Sequence, residues 1–201
     1  MRNLRLLLGT ALVVLVVVLA LLGYRWYLTP PELHGTFVQE DWMTADFTLQ
    51  TAGNQLISLS NFRGKVVLLY FGYTHCPDMC PTTLADAKVA MQELGVQAEE
   101  VQLVMVSVDP ERDSPEKLQE YVQRFDPRFI GVTGTEDAVT AAATAFGVTF
   151  YKEAGSVATG YLVAHSTQLL VLDRQGYVRH IFPFGVTGED MAADLRYLLS
   201  L

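Results

Sequence analysis

With two cysteines in 201 residues and no third, a structural zinc site, which ordinarily takes four protein ligands, is disfavoured. Basic charge is also scarce. Three of the 14 Lys and Arg lie in the first 25 positions, so the remainder carries 11 against 22 Asp and Glu, a balance that disfavours nucleic acid as a partner. The excess acid serves the solubility of an exported domain, and it would also suit a basic protein partner. No internal repeat or low-complexity tract interrupts the chain, and no proline occurs between Pro127 and Pro183. Charge is missing altogether from residues 6–23, LLLGTALVVLVVVLALLG, a run of about the minimum length for a helix to cross a bilayer.

That run predicts an uncleaved N-terminal transmembrane helix. Arg2 and Arg5 precede it, Arg25 alone follows closely, and Tyr24, Trp26 and Tyr27 stand where an interfacial aromatic belt belongs. The bias places the amino terminus inside and the rest of the chain outside the cytoplasm. A cleavable signal peptide fits less well, because the apolar stretch is long and no small-x-small site precedes the aromatic residues. With either choice the cysteines work where a disulfide can persist. The reading divides the chain into an anchor at 1–27, a linker at 28–43 stiffened by Pro30 and Pro31, and one domain at 44–201.

Within the domain, DFTLQTAGNQLISLS alternates about a Gly-Asn turn and predicts a short hairpin. KVVLLYF at 65–71 is a continuous apolar run, as in a central strand buried on both faces. After the cysteine loop, Leu84, Ala87, Met91 and Leu94 recur at helical spacing until Gly95. A strand over 101–108 is followed by a helix capped by Ser114-Pro115, and a strand over 129–132 by a helix capped by Thr135. Strands over 168–173 and 177–182 pair about a turn at Gly176, and a last helix runs from Thr187 with capping-box spacing to Asp190. Parallel β-α units closed by a hairpin and a helix give an α/β fold of thioredoxin-like order, a central mixed sheet flanked by helices.

Both cysteines lie in Tyr73-Thr74-His75-Cys76-Pro77-Asp78-Met79-Cys80-Pro81, at the carboxyl end of the central strand, where α/β sheets place ligands. The prolines favour a stiffened loop with Pro81 opening the helix, and the helix N-terminus favours thiolates. A purely structural disulfide across three residues would add little to that stiffness. Two thiolates select copper(I), zinc or a cluster, and one further donor makes a three-coordinate site suited to copper. By pattern alone a lone histidine at a strand entrance is more often a satisfied polar residue. In a thioredoxin-like fold, however, His165 faces the cysteine loop, where dedicated disulfide exchangers carry a cis-proline. His75 adjoins Cys76 but consecutive side chains rarely turn to one centre. His34 and His180 read as solvent-facing. Asp78 reads as a turn carboxylate or an outer partner, and Asp109, Glu111, Arg112 and Asp113 as a solvated charged turn or a docking loop.

The stretch from Gly72 to Pro81 resembles the signature of the Sco (SenC) family. Phe62-Arg63-Gly64-Lys65, the run from Ser107 to Asp113 and the run from Ile130 to Gly134 resemble the same family, over about residues 44–200. The resemblance implies a copper site of Cys76, Cys80 and His165. It further implies a role in assembling the binuclear copper centre of cytochrome c oxidase, with the copper-bearing subunit or its assembly factors as partners. The protein would be a single-pass component of the bacterial cytoplasmic membrane with its domain in the periplasm. As alternatives, Cys76 and Cys80 could be the catalytic pair of a thiol-disulfide oxidoreductase that reduces the cysteines of the oxidase site, or the chain could be a copper or redox sensor. Family members usually carry an acid just before the metal histidine. Here that residue is Ala164.

Overall fold

In a computed structural model of the chain, residues 2–28, 32–43, 45–155 and 160–201 are described. The chain divides into two compact units, Met1–Glu32 and Leu33–Leu201. The first holds helix α1, Arg2–Leu28, whose described side chains, those of 11–25, include exposed leucines and valines from Leu12 to Leu22. Among the described residues no helix is long and apolar enough to cross a membrane. Trp26 and Tyr27 of the expected aromatic belt, Pro30 and Pro31, and the expected domain start at Thr44 lie outside the described side chains.

The second unit is built on a six-stranded mixed sheet. Its strands are β1 (Thr36–Met43), β4 (Val66–Gly72), β5 (Val101–Ser107), β6 (Ile130–Val132), β9 (Leu169–Leu172) and β10 (Tyr177–Phe182), in the order β1-β10-β9-β4-β5-β6. β4 pairs parallel with β5 on one side and antiparallel with β9 on the other. All seven residues of both β4 and β5 are buried, as two-sided burial of their largely apolar sequences requires, with Gln102 and Ser107 the polar exceptions in β5. β2 (Thr48–Thr51) and β3 (Gln55–Ser58) form the expected hairpin, with Gly53 and Asn54 at positive φ in its turn.

The helices are α2 (Met79–Leu94), α3 (Pro115–Gln123), α4 (Glu136–Ala145) and α5 (Gly188–Leu199). Ser114, Thr135 and Thr187 cap the last three as anticipated, each side chain accepting from a backbone N–H in the first turn. Helix α2 starts at Met79 rather than at Pro81. Cys80 therefore sits in its first turn, where Pro81 loses no hydrogen bond because first-turn N–H groups have no helical acceptor.

Three departures have physical causes. Residues 36–43, assigned above to the linker, form edge strand β1 against β10 through a register shift, and Val38 and Trp42 pack on the core. A second hairpin, β7 (Phe150–Ala154) with β8 (Tyr161–His165), stands apart from the main sheet and is unforeseen, because four of the five β7 side chains are exposed and give no alternation. His34 and His180 do not face solvent freely. Buried His180 meets buried Asp194 at 2.9 Å, and half-exposed His34 meets the same carboxylate through Nδ1 at 3.0 Å and Asp190 through Nε2 at 3.2 Å. Burial pushes the His180 imidazole below its ordinary range against the pull of Asp194.

Candidate metal centre

Two separate elements bring the site together. The cysteine loop leaves β4 at Gly72 and enters α2, so both sulfurs sit at the sheet's carboxyl edge. His165 is the last residue of β8. One ligand atom each from Cys76, Cys80 and His165 lies within 4.8 Å of the other two, and among the described residues this is the one such group of three. Ligand atoms bound to one ion at about 2.0–2.3 Å stand at most about 4.6 Å apart, so small side-chain shifts close the set on a metal.

The histidine is chemically prepared for that role. Its Nδ1 lies 2.9 Å from the carbonyl oxygen of Ser166, which can only accept, so Nδ1 carries the proton. Nε2 then keeps its lone pair, 3.7 Å from the Cys80 sulfur. Tyr73 and Tyr70 meet the imidazole edge-on, with ring centroids at 5.8 and 6.3 Å, and confine its plane.

The sulfurs differ. Cys76 is half-buried and accepts from the Cys80 backbone N–H at 3.4 Å. The Cys80 thiol hydrogen-bonded to it, with the backbone N–H groups of Asp78 and Cys80, outweighs partial burial and pulls the Cys76 thiol down to about 3. Cys80 is fully buried, and its donation to Cys76 together with desolvation pushes its own thiol up. The reduced pair is thus one thiolate beside one thiol. Because the folded value of Cys76 is depressed, its stabilisation is present above the unfolded thiol range and is lost as pH falls toward about 3. Iodoacetamide should therefore alkylate Cys76 of the reduced apo-protein at a rate nearly constant between about pH 5 and about pH 8. A rate climbing tenfold per pH unit over that span would contradict the thiolate assignment.

Gly72 makes room beneath Cys80. A Cβ there would lie 2.9 Å from the Cys80 sulfur and 2.8 Å from the Tyr70 ring. Gly72→Ala is expected to destabilise the domain by about 1–3 kcal/mol through overpacking, read as a lowered midpoint in denaturant, while weakening metal binding.

His75 does not join the site. Its Nδ1 lies 3.2 Å from the Thr74 hydroxyl and 3.7 Å from Asp113, and its Nε2 is 3.4 Å from Lys117. Asp78 provides the N-cap of α2 without a side-chain cap bond, and Ala164 pairs with Tyr151 in the second hairpin. Asp109 and Asp113, read above as parts of a solvated turn, are buried instead. Their only signal was the motif itself.

A mixed sheet of this order, with a cysteine pair where the central strand enters a helix and a histidine opposite, defines a thioredoxin-like domain fitted for a soft metal or for thiol chemistry. The SCO1/SenC family pattern matches residues 38–200, and the chain belongs to that family. An apo Sco1 structure from Thermus thermophilus is 38% identical, covers 83% of this chain and 97% of its own, and superposes with a TM-score of 0.75. ScoI of Bradyrhizobium japonicum, solved with copper bound, is 32% identical, covers 78% of this chain and 99% of its own, and has a TM-score of 0.70. An SCO2-like protein of Rickettsia prowazekii is 34% identical over 139 residues, 68% of this chain and 67% of that one.

Proposed function

We propose that the protein is a membrane-anchored copper chaperone that carries one copper ion on Cys76, Cys80 and His165 and helps assemble the binuclear copper centre of cytochrome c oxidase. The observation that carries this reading is the convergence of two sulfurs and a lone-pair-bearing imidazole nitrogen within 4.8 Å. Soft donors in low coordination suit copper(I), and a half-exposed Cys76 lets an incoming thiolate enter before an old ligand leaves. The copper bound by the related B. japonicum ScoI supports the choice of ion. Anchoring through residues 6–23, with the domain in the periplasm, rests on the uncharged run and on the apolar side chains that α1 exposes.

A second reading, thiol-disulfide reduction of the oxidase site, draws on the thiolate-thiol asymmetry of Cys76 and Cys80. The discriminating experiment loads the full-length protein with copper(I) and mixes it with the apo copper-bearing subunit, reduced in one arm and disulfide-bonded in the other. The chaperone reading expects copper to appear on the reduced subunit, with transfer impaired in His165→Ala. Reduction of the disulfide that His165→Ala leaves intact, with no copper passed on, would favour the reductase. Copper binding with neither outcome would favour a sensor.

A further inference from the structure

The two halves of the site share no β ladder, because the hairpin bearing His165 is a sheet of its own, yet a metal needs all three donors in register. Between the halves runs the five-residue loop 109–113 that follows β5. Its two aspartates are 1% and 0% exposed, and a buried carboxylate is costly unless its oxygens are well bonded. Asp113 turns toward the cysteine loop. It accepts from the Thr74 backbone N–H at 2.9 Å, from the Thr74 hydroxyl at 2.5 Å and from the Ser107 hydroxyl at 2.7 Å. Asp109 turns toward the histidine hairpin and accepts from the Tyr161 hydroxyl at 2.6 Å. Asp109 also accepts from Arg112 Nε at 2.5 Å. Arg112 in turn donates to the Tyr161 carbonyl at 2.9 Å and lies 3.6 Å over the Tyr161 ring. Glu111 adds contacts to the same hairpin through Lys152 at 2.7 Å and the Tyr161 hydroxyl at 3.2 Å. Tyr161 opens the strand that His165 ends.

We infer that the loop 109–113 is a positioning bracket that sets His165 against the two cysteines, Asp113 holding the cysteine loop through Thr74, and Asp109 with Arg112 holding the histidine strand through Tyr161. None of these residues is a metal ligand. They act as the outer partners that orient ligands, and the inference rests on the copper site proposed above. Because the two arms reach different ligands, they separate genetically. The Tyr161 arm acts through His165, whereas the Asp113 arm acts through the cysteines.

The test is copper(I) affinity of the full-length protein in detergent micelles, measured by competition with a chromophoric copper(I) chelator, in Tyr161→Phe and Asp113→Asn, each in the wild-type and His165→Ala backgrounds. Tyr161→Phe is expected to lower affinity about tenfold in the wild-type background and to have no effect once His165 is gone. Asp113→Asn is expected to weaken binding in both backgrounds. Thermal melting of the apo forms identifies variants that fail to fold, and Arg112→Lys then replaces Tyr161→Phe in the same cycle. Equal losses from Tyr161→Phe in both backgrounds, or no loss in either, overturn the bracket. An unchanged affinity in His165→Ala alone overturns the copper site instead.

Discussion

Substituting either cysteine with serine is expected to remove tight copper(I) binding from the protein while leaving it folded. The hydroxyl is a hard donor that stays protonated at neutral pH, so each change deletes a soft thiolate from a set of three. A loss of more than about a thousandfold, or about 4 kcal/mol, is expected in each single variant. The two should still differ in the apo-protein. Cys80 is fully buried, so Cys80→Ser puts a smaller, more polar group among close-packed core side chains, and it lowers thermal stability. Cys76 is half-exposed, and Cys76→Ser is tolerated with little change in melting. Retention of submicromolar copper(I) binding by both variants, in a chelator competition, would rule out a thiolate site.

The second large effect is on stability, at a carboxylate that is not part of the cysteine-histidine cluster. Asp194 is 1% exposed and takes four hydrogen bonds. These come from the backbone N–H groups of His34 and Gly35, at 2.8 and 3.0 Å, and from the rings of His34 and His180, at 3.0 and 2.9 Å. It therefore ties the segment before β1 to α5 and supplies buried His180 with its partner. Asp194→Ala strands several donors in a dry environment and is expected to cost about 3–5 kcal/mol, or about 10 °C in melting temperature for a domain of this size. Asp194→Asn retains part of the set and should cost less. A change below about 1 kcal/mol in Asp194→Ala, read by denaturant unfolding, would show that water or rearrangement satisfies these groups.

The parts of the fold that were legible share one property: their sequence pattern and their burial are imposed by the same neighbours. β4 and β5 are mainly apolar because both faces are covered, and Ser114, Thr135 and Thr187 cap helices through bonds to residues three positions on. The placement of the cysteine loop was legible, since both sulfurs stand in one motif at a strand end. His165 needed the fold as well as the motif. What escaped was decided across long chain separations. Asp113 is buried because Thr74 and Ser107 donate to it, and Asp109 because Tyr161 does, 52 residues away. His180 has a polar neighbourhood only because α5 brings Asp194 beneath it. In the hairpin of β7 and β8, four of the five β7 side chains are exposed and β8 is mostly only partly buried, so no apolar rhythm announced it.

The central claim, one copper held by Cys76, Cys80 and His165, is tested most directly by X-ray absorption of the copper(I)-loaded protein alongside His165→Ala. Two sulfur scatterers and one nitrogen scatterer around a single copper, with the nitrogen lost in the variant, is the predicted result. A first shell of sulfur alone, or a nitrogen that persists without His165, would contradict it.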